Sequence, residues 1–320
     1  MTREFHDLSE ALLNHESGGT TLWGNLGYWA TAHTYPEACA ALADELGSRL
    51  QLGPDTRLIE VGFGCGDALL HWMRTYGVQT LAGLNLSQSQ TCHAQARLTA
   101  EGHAEIASRL HVGSVIELQD FAGSLPWSAT AIAALDCAYH FPSRERFLDD
   151  AAALLPVGGR VGVTDLLLAR PPRGIEHVVL RVICRLARIP RDHLVTEPEL
   201  RQQWQRAGFE VTYLHDLSAG VMRPFGNWLD GYRCQFSRDG RGPQWRKYRA
   251  TAAVLHWADG GETKLENLIL LCRHHHRLVH EGGFSCERAT SGEIVFRDGR
   301  ERPLPHWSAL PRRTRDNEAV

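Results

Sequence analysis

No stretch of this 320-residue chain approaches the roughly 20 consecutive apolar residues of a membrane helix. The opening MTREFH is not followed by an apolar signal core, which argues against secretion and for a cytoplasmic protein. The eight cysteines are scattered rather than framed, and Cys65, Cys137 and Cys184 fall in apolar segments. That usage points to reduced thiols and not to a disulfide scaffold. There is no internal repeat and no low-complexity tract, so solenoid architectures are excluded. What remains, with 43% hydrophobic and 22% charged residues, is the balance of an ordinary globular protein. Its length suits one large α/β domain and a small second module.

The net charge of −3 conceals an asymmetry. Residues 1–233 carry 19 Lys and Arg against 26 Asp and Glu, whereas residues 234–320 carry 15 against 11 and a histidine triplet at 274–276. Composition also shifts toward Arg, Gly, Trp and His from about residue 234, and the domain boundary is placed there.

The first part alternates strand and helix patterns. A helix is expected over about 35–50, where Ala38, Ala41, Leu42 and Leu46 share one face. Strands are expected at 57–61, 78–84, 109–113, 134–141 and 160–167, with helices between them, then a helix ended by Gly208 and a sixth strand after it. This alternation predicts a doubly wound, mostly parallel sheet with ligands at the carboxyl ends of its strands. The apolar segment GIEHVVLRVICRLARIP is read either as a substrate cover or as a helix packed on the core.

The most informative segment is RLIEVGFGCGD at 57–67. A buried strand runs through Glu60 into a turn where Gly62, Gly64 and Gly66 let the backbone approach a ligand, and a helix follows.

Together with NLGYW at 25–29, GLNLSQSQ at 83–90, LDCAYHF at 135–141 and LLPVGGRVGVTD at 154–165, this segment resembles class I S-adenosylmethionine-dependent methyltransferases. The likeness is to the sterol, tocopherol and cyclopropane-synthase-like group, which acts on small or lipophilic acceptors. It implies a Rossmann-like methyltransferase sheet, S-adenosylmethionine as cofactor and no required metal. By the same resemblance the glycine turn meets the methionine part, and Glu60 receives its amino group. Asn85, where an acid is usual, and Gln90 take the ribose hydroxyls, although Ser87 beside them equally reads as a helix N-cap. Ser114 falls where an acid commonly holds the adenine. His140 is the candidate base and Tyr139 a wall or hydrogen-bond partner, with a structural role open for the histidine. Tyr28 and Trp29 either cover the cofactor and acceptor or pack ordinarily. Asp165 either faces the cleft or caps the next segment.

In the second part, LHWADGGETKLENLILLCRHHHRLVHEGGF at 255–284 resembles the end of an HNH endonuclease module of actinobacterial repeat-type proteins. Asn267 and His276 match the motif's middle residue and last metal ligand, and Cys272 and His275 match half of a structural zinc site. Ala252 and Ala253 stand where that family has paired histidines, so the water-activating group is missing unless His256 substitutes. The module is therefore read as a degenerate ββα, HNH-like unit over 234–300, followed by a disordered tail at 301–320. Cys272, His275 and His276 are weak metal candidates and nucleic acid is not an expected partner. The segment EIVFR at 293–297 is expected to fill an empty edge of the large sheet. The expected activity is methyl transfer to O or C of a small hydrophobic metabolite. The alternative is DNA binding or metal-dependent cleavage by the second part.

Overall fold

The computed structural model describes residues 20–174, 176–238, 285–288 and 294–297, together with 13, 14 and 18. Five strands form a parallel sheet: β1 (Arg57–Val61), β2 (Thr80–Asn85), β3 (Leu110–Val112), β4 (Ala131–Ala134) and β5 (Arg160–Val163). Their spatial order is β3-β2-β1-β4-β5. The helices are α1 (Tyr35–Arg49), α2 (Asp67–Tyr76), α3 (Gln88–Ala100), α4 (Ala104–Ala107), α5 (Leu118–Gly123), α6 (Arg144–Leu154), α7 (Glu176–Ala187), α8 (Glu197–Arg206) and α9 (Ser218–Arg238).

Both faces of the sheet are covered, so its central strands are apolar almost throughout. Ile59, Val61, Ala82, Leu84, Ile132 and Ala134 pack with Phe121, Phe147 and Leu148 of α5 and α6. Local signals start the helices. Thr34 and Glu37 form a capping box on α1, with Pro36 in its first turn. Ser143 caps α6 by accepting the Arg146 N–H.

Four sequence expectations are corrected. The fourth strand ends at Ala134 and not at Phe141, because Asp136 takes a left-handed backbone (φ 54°) and residues 138–140 form a 3-10 turn. β5 stops at Val163, after which Asp165 turns its carboxylate into a buried pair with Arg144. Residues 209–217 form no strand; Phe209 packs on Trp204 and Arg49 lies 4.2 Å above the Tyr213 ring, so burial is met without a ladder. Finally, Ile294–Arg297 (β7) pairs antiparallel with Ser285–Arg288 (β6) in its own two-stranded sheet, and neither strand belongs to the five-stranded one. The five-stranded sheet falls in one compact unit of the chain and the β6–β7 pair in a second. The histidine-rich segment, with Cys272, His275 and His276, lies outside the described residues.

The Arg144–Asp165 pair is 2.6 Å long, with the two side chains 4% and 6% exposed. Arg144→Ala would strand a buried carboxylate and is expected to cost about 3–5 kcal/mol, read as a lower urea midpoint at unchanged slope. A shift below about 1 kcal/mol would show that Asp165 finds other solvation.

Candidate active site

β1 passes the chain to β2 on one side while β4 lies on the other, which makes the carboxyl ends of β1 and β4 a topological switch point. The glycine turn sits there. Gly62, Gly64 and Gly66 have φ of 74°, 56° and 88°, a backbone that side chains with a Cβ rarely adopt. A Cβ on Gly62 would stand 2.6 Å from Cys137 Sγ, so space also excludes one. At Gly64 nothing lies within 4 Å, and the outer surface of the turn is bare. α2 follows without a side-chain cap at its N-terminus.

Glu60, 1% exposed, lies beneath this turn and accepts the Trp72 indole N–H at 2.6 Å. Burial pushes its carboxyl up to about 8, opposed only by that hydrogen bond, with no cation of the described residues contributing. At the end of β2, buried Asn85 and Gln90 are brought together, Nδ2 to Oε1 at 3.4 Å. Ser87 takes the capping role, accepting the Gln90 N–H at 3.3 Å. Between them Leu86 is 73% exposed, an apolar side chain beside the crevice that sequence reading passed over. Its signal was available: a leucine between two polar residues just past a strand end. Glu117 Oε2 accepts the Ser114 N–H at 3.0 Å, so the Ser114 backbone is tied into the short helical turn that begins at Val115.

Past β4, Cys137 reaches back to the Val61 carbonyl at 3.1 Å and thereby joins the β4 loop to the glycine turn. Tyr139 is buried, its ring 4.4 Å from that of His140, and its hydroxyl pKa is pushed well up by burial and by neighbouring Asp136. His140 Nδ1 faces the Arg188 carbonyl at 3.4 Å. A carbonyl only accepts, so Nδ1 carries the proton and Nε2 is the basic end of the neutral ring. Burial lowers the His140 pKa, which favours that neutral form.

Asp136, absent from the sequence-based candidates, is half-buried, its carboxyl pushed up to about 7 by desolvation. Its Oδ2 accepts the Leu26 N–H at 2.7 Å. Tyr28 and Trp29 lie on this same N-terminal segment. Trp29 packs among Tyr35, Phe225 and Trp228, with ring centroids 5.4–6.4 Å away. Tyr28 presses on Gly220, where a Cβ would meet its ring at 2.3 Å. Both side chains thus make packing contacts that fasten α9. Asp165 serves the segment that follows it, its Oδ1 accepting the Leu166 N–H at 2.8 Å, while its Oδ2 holds Arg144. Among the described residues no group of three His, Cys, Asp or Glu side chains is placed to hold a metal ion. Nor is any helix among them long and apolar enough to cross a membrane.

A family profile described as a methyltransferase domain matches residues 31–214. The chain is 33% identical over 168 residues to 27-O-demethylrifamycin SV methyltransferase of Amycolatopsis mediterranei, covering 50% of this chain and 58% of that enzyme. It is 26% identical over 227 residues to erythromycin 3''-O-methyltransferase of Saccharopolyspora erythraea, covering 68% and 70%. Its fold is similar to that of the cyclopropane synthase MmaA2 from Mycobacterium tuberculosis, with a TM-score of 0.60 over 79% of this chain and 90% of that one. At 16% identity that likeness is one of fold.

Proposed function

Because this chain belongs to the methyltransferase domain family, whose profile covers residues 31–214, we propose that it moves the methyl group of S-adenosylmethionine to a small apolar metabolite. Bound S-adenosylmethionine supplies an electrophilic methyl on a sulfonium, with the leaving group already built in. The observation that carries the reading is the pairing, at the switch point, of a bare Gly64 turn with a buried carboxyl that no described cation offsets. That combination fits a ligand with an ammonium group and a bulky body laid against backbone.

On this reading Glu60 pairs with the ammonium, and the glycine turn accommodates the adjoining chain. Asn85 and Gln90 offer neighbouring amides to the ribose hydroxyls, and exposed Leu86 lies against the base. Ser114, its backbone N–H held by Glu117, offers its hydroxyl toward the adenine. His140 Nε2 accepts the proton of a hydroxyl acceptor, and Tyr139 walls that side of the crevice. The protein's main work is then alignment and exclusion of water. Two relatives are named for demethylrifamycin SV and for the 3''-oxygen of erythromycin, which favours a hydroxyl over a carbon acceptor.

Calorimetry of the full chain with S-adenosylmethionine tests the reading. Micromolar binding is expected, and Gly64→Val should abolish it by filling the open surface. No heat of binding in the unsubstituted protein would overturn the proposal.

A further inference from the structure

Two hydrogen bonds tie the segment before α1 to the two flanks of the glycine turn. On one flank Asp67, which follows Gly66, accepts the Leu22 N–H at 3.0 Å and is held by Arg97 at 2.6 Å. On the other, Asp136 accepts the Leu26 N–H at 2.7 Å, and its neighbour Cys137 stands against Gly62. Residues 22–26 therefore bridge from one side of the ligand turn to the other.

The Asp136 end is built at some cost. Its φ of 54° is unusual for a residue with a Cβ, and its N–H is fixed by Thr164 Oγ1 at 2.6 Å. The same carboxylate receives a hydrogen bond from Tyr139. One residue thus joins the N-terminal segment through its carboxylate and the residue after β5 through its backbone N–H. A strained, desolvated carboxyl persists where the surroundings over-determine it, as they do at sites that must hold a ligand.

We propose that Asp136 is a positioning residue, a clasp that holds residues 22–29 closed beside the glycine turn and keeps S-adenosylmethionine from escaping. The inference rests on the methyltransferase reading for the identity of what is retained, but not for the clasp itself. The Leu26 hydrogen bond favours the ionised carboxylate, but desolvation outweighs it and favours the neutral acid, whose carbonyl oxygen still accepts that N–H. The groups that face it are Tyr139 and Cys137 on its own loop, Asp165 beyond β5 and Cys39 on α1. None is a cation, so the carboxyl is pushed up to about 7 and the closed clasp loosens as pH rises through that value.

Amide hydrogen exchange on the full chain decides this without any ligand. In Asp136→Ala the Leu26 amide is expected to exchange about tenfold faster, corrected for intrinsic rates, while the Leu22 amide, held by Asp67, stays protected. In the unsubstituted protein Leu26 protection should fall between about pH 6 and about pH 8.5, and in the variant it should not. Stopped-flow release of S-adenosylmethionine should quicken about tenfold in Asp136→Ala with thermal unfolding little changed. Unaltered Leu26 exchange, or faster exchange without faster release, would overturn the proposal. If the variant does not fold, the pH series on the unsubstituted chain is sufficient, since flat Leu26 protection refutes the clasp. Absence of ligand binding in the unsubstituted protein would instead refute the methyltransferase reading and leave the exchange result to stand alone.

Discussion

Replacing Glu60 with glutamine is expected to stabilise the fold in mildly alkaline solution while weakening S-adenosylmethionine binding by about ten- to a hundredfold. Burial raises the Glu60 carboxyl from 4.5 to about 8. A carboxyl raised on folding favours the folded state below its unfolded value, and that advantage drains away as pH climbs through the folded value. By about pH 8.5 the ionised, desolvated group costs on the order of 4 kcal/mol. Glutamine cannot ionise, yet its oxygen still accepts the Trp72 N–H, so the cost disappears and the local packing survives. Binding moves the other way, because an ammonium loses its counter-charge. Urea unfolding should separate the two proteins by about 1 kcal/mol at about pH 5.5 and by several times that at about pH 8.5. Equal stability at both would mean that Glu60 reaches solvent, and unchanged affinity would remove it from the binding site. A corollary concerns the unsubstituted protein: binding must expel the Glu60 proton below about pH 8, so affinity should climb with pH up to there.

His140→Ala is expected to lower kcat by about 10²–10⁴ on a hydroxyl acceptor, with the KM for S-adenosylmethionine little changed. The reason lies in the tautomer set by the Arg188 carbonyl, which leaves Nε2 as the acceptor. A base works only when neutral. Since burial lowers the His140 pKa, the rate should rise with pH and reach half its plateau below the ordinary histidine value of 6.5. That limb should be absent from the alanine variant. A loss smaller than about tenfold, or a limb that persists, would take His140 out of proton transfer.

Much of the geometry of this candidate site was legible because its parts are local. A strand entering a turn that demands successive positive φ can be read from spacing alone, and Glu60 falls on the strand by position. The Asn85–Gln90 pair lies within a strand end and the first turn of the next helix, and the two side chains do meet. What escaped were features created by distant partners. Asp136 matters through Leu26, 110 residues earlier, and through a left-handed backbone that aspartate neither requires nor forbids. It also ended β4 early, where an apolar LDCAYHF reads as strand. Asp165 does meet the next residue, Leu166, as a local reading has it, but its second partner, Arg144 at the start of α6, leaves no signal in the spacing. Trp29 shows the same limit from the other side. Motif position made it a candidate cover, whereas its surroundings are three aromatic rings. EIVFR was expected to be a strand and is one, but its partner is the nearby Ser285–Arg288 segment. Periodicity records which side of a segment is buried and carries nothing about what pairs with its edge.

The four-ring stack of Trp29, Tyr35, Phe225 and Trp228 joins residues almost two hundred positions apart. During synthesis the parallel sheet has all five strands once Val163 has emerged, yet these rings must wait for α9 before they can be shielded. Until then the nascent domain presents a bare aromatic face at its amino-terminal side. Translation through residues 164–228 is therefore the interval in which a chaperone has most to hold.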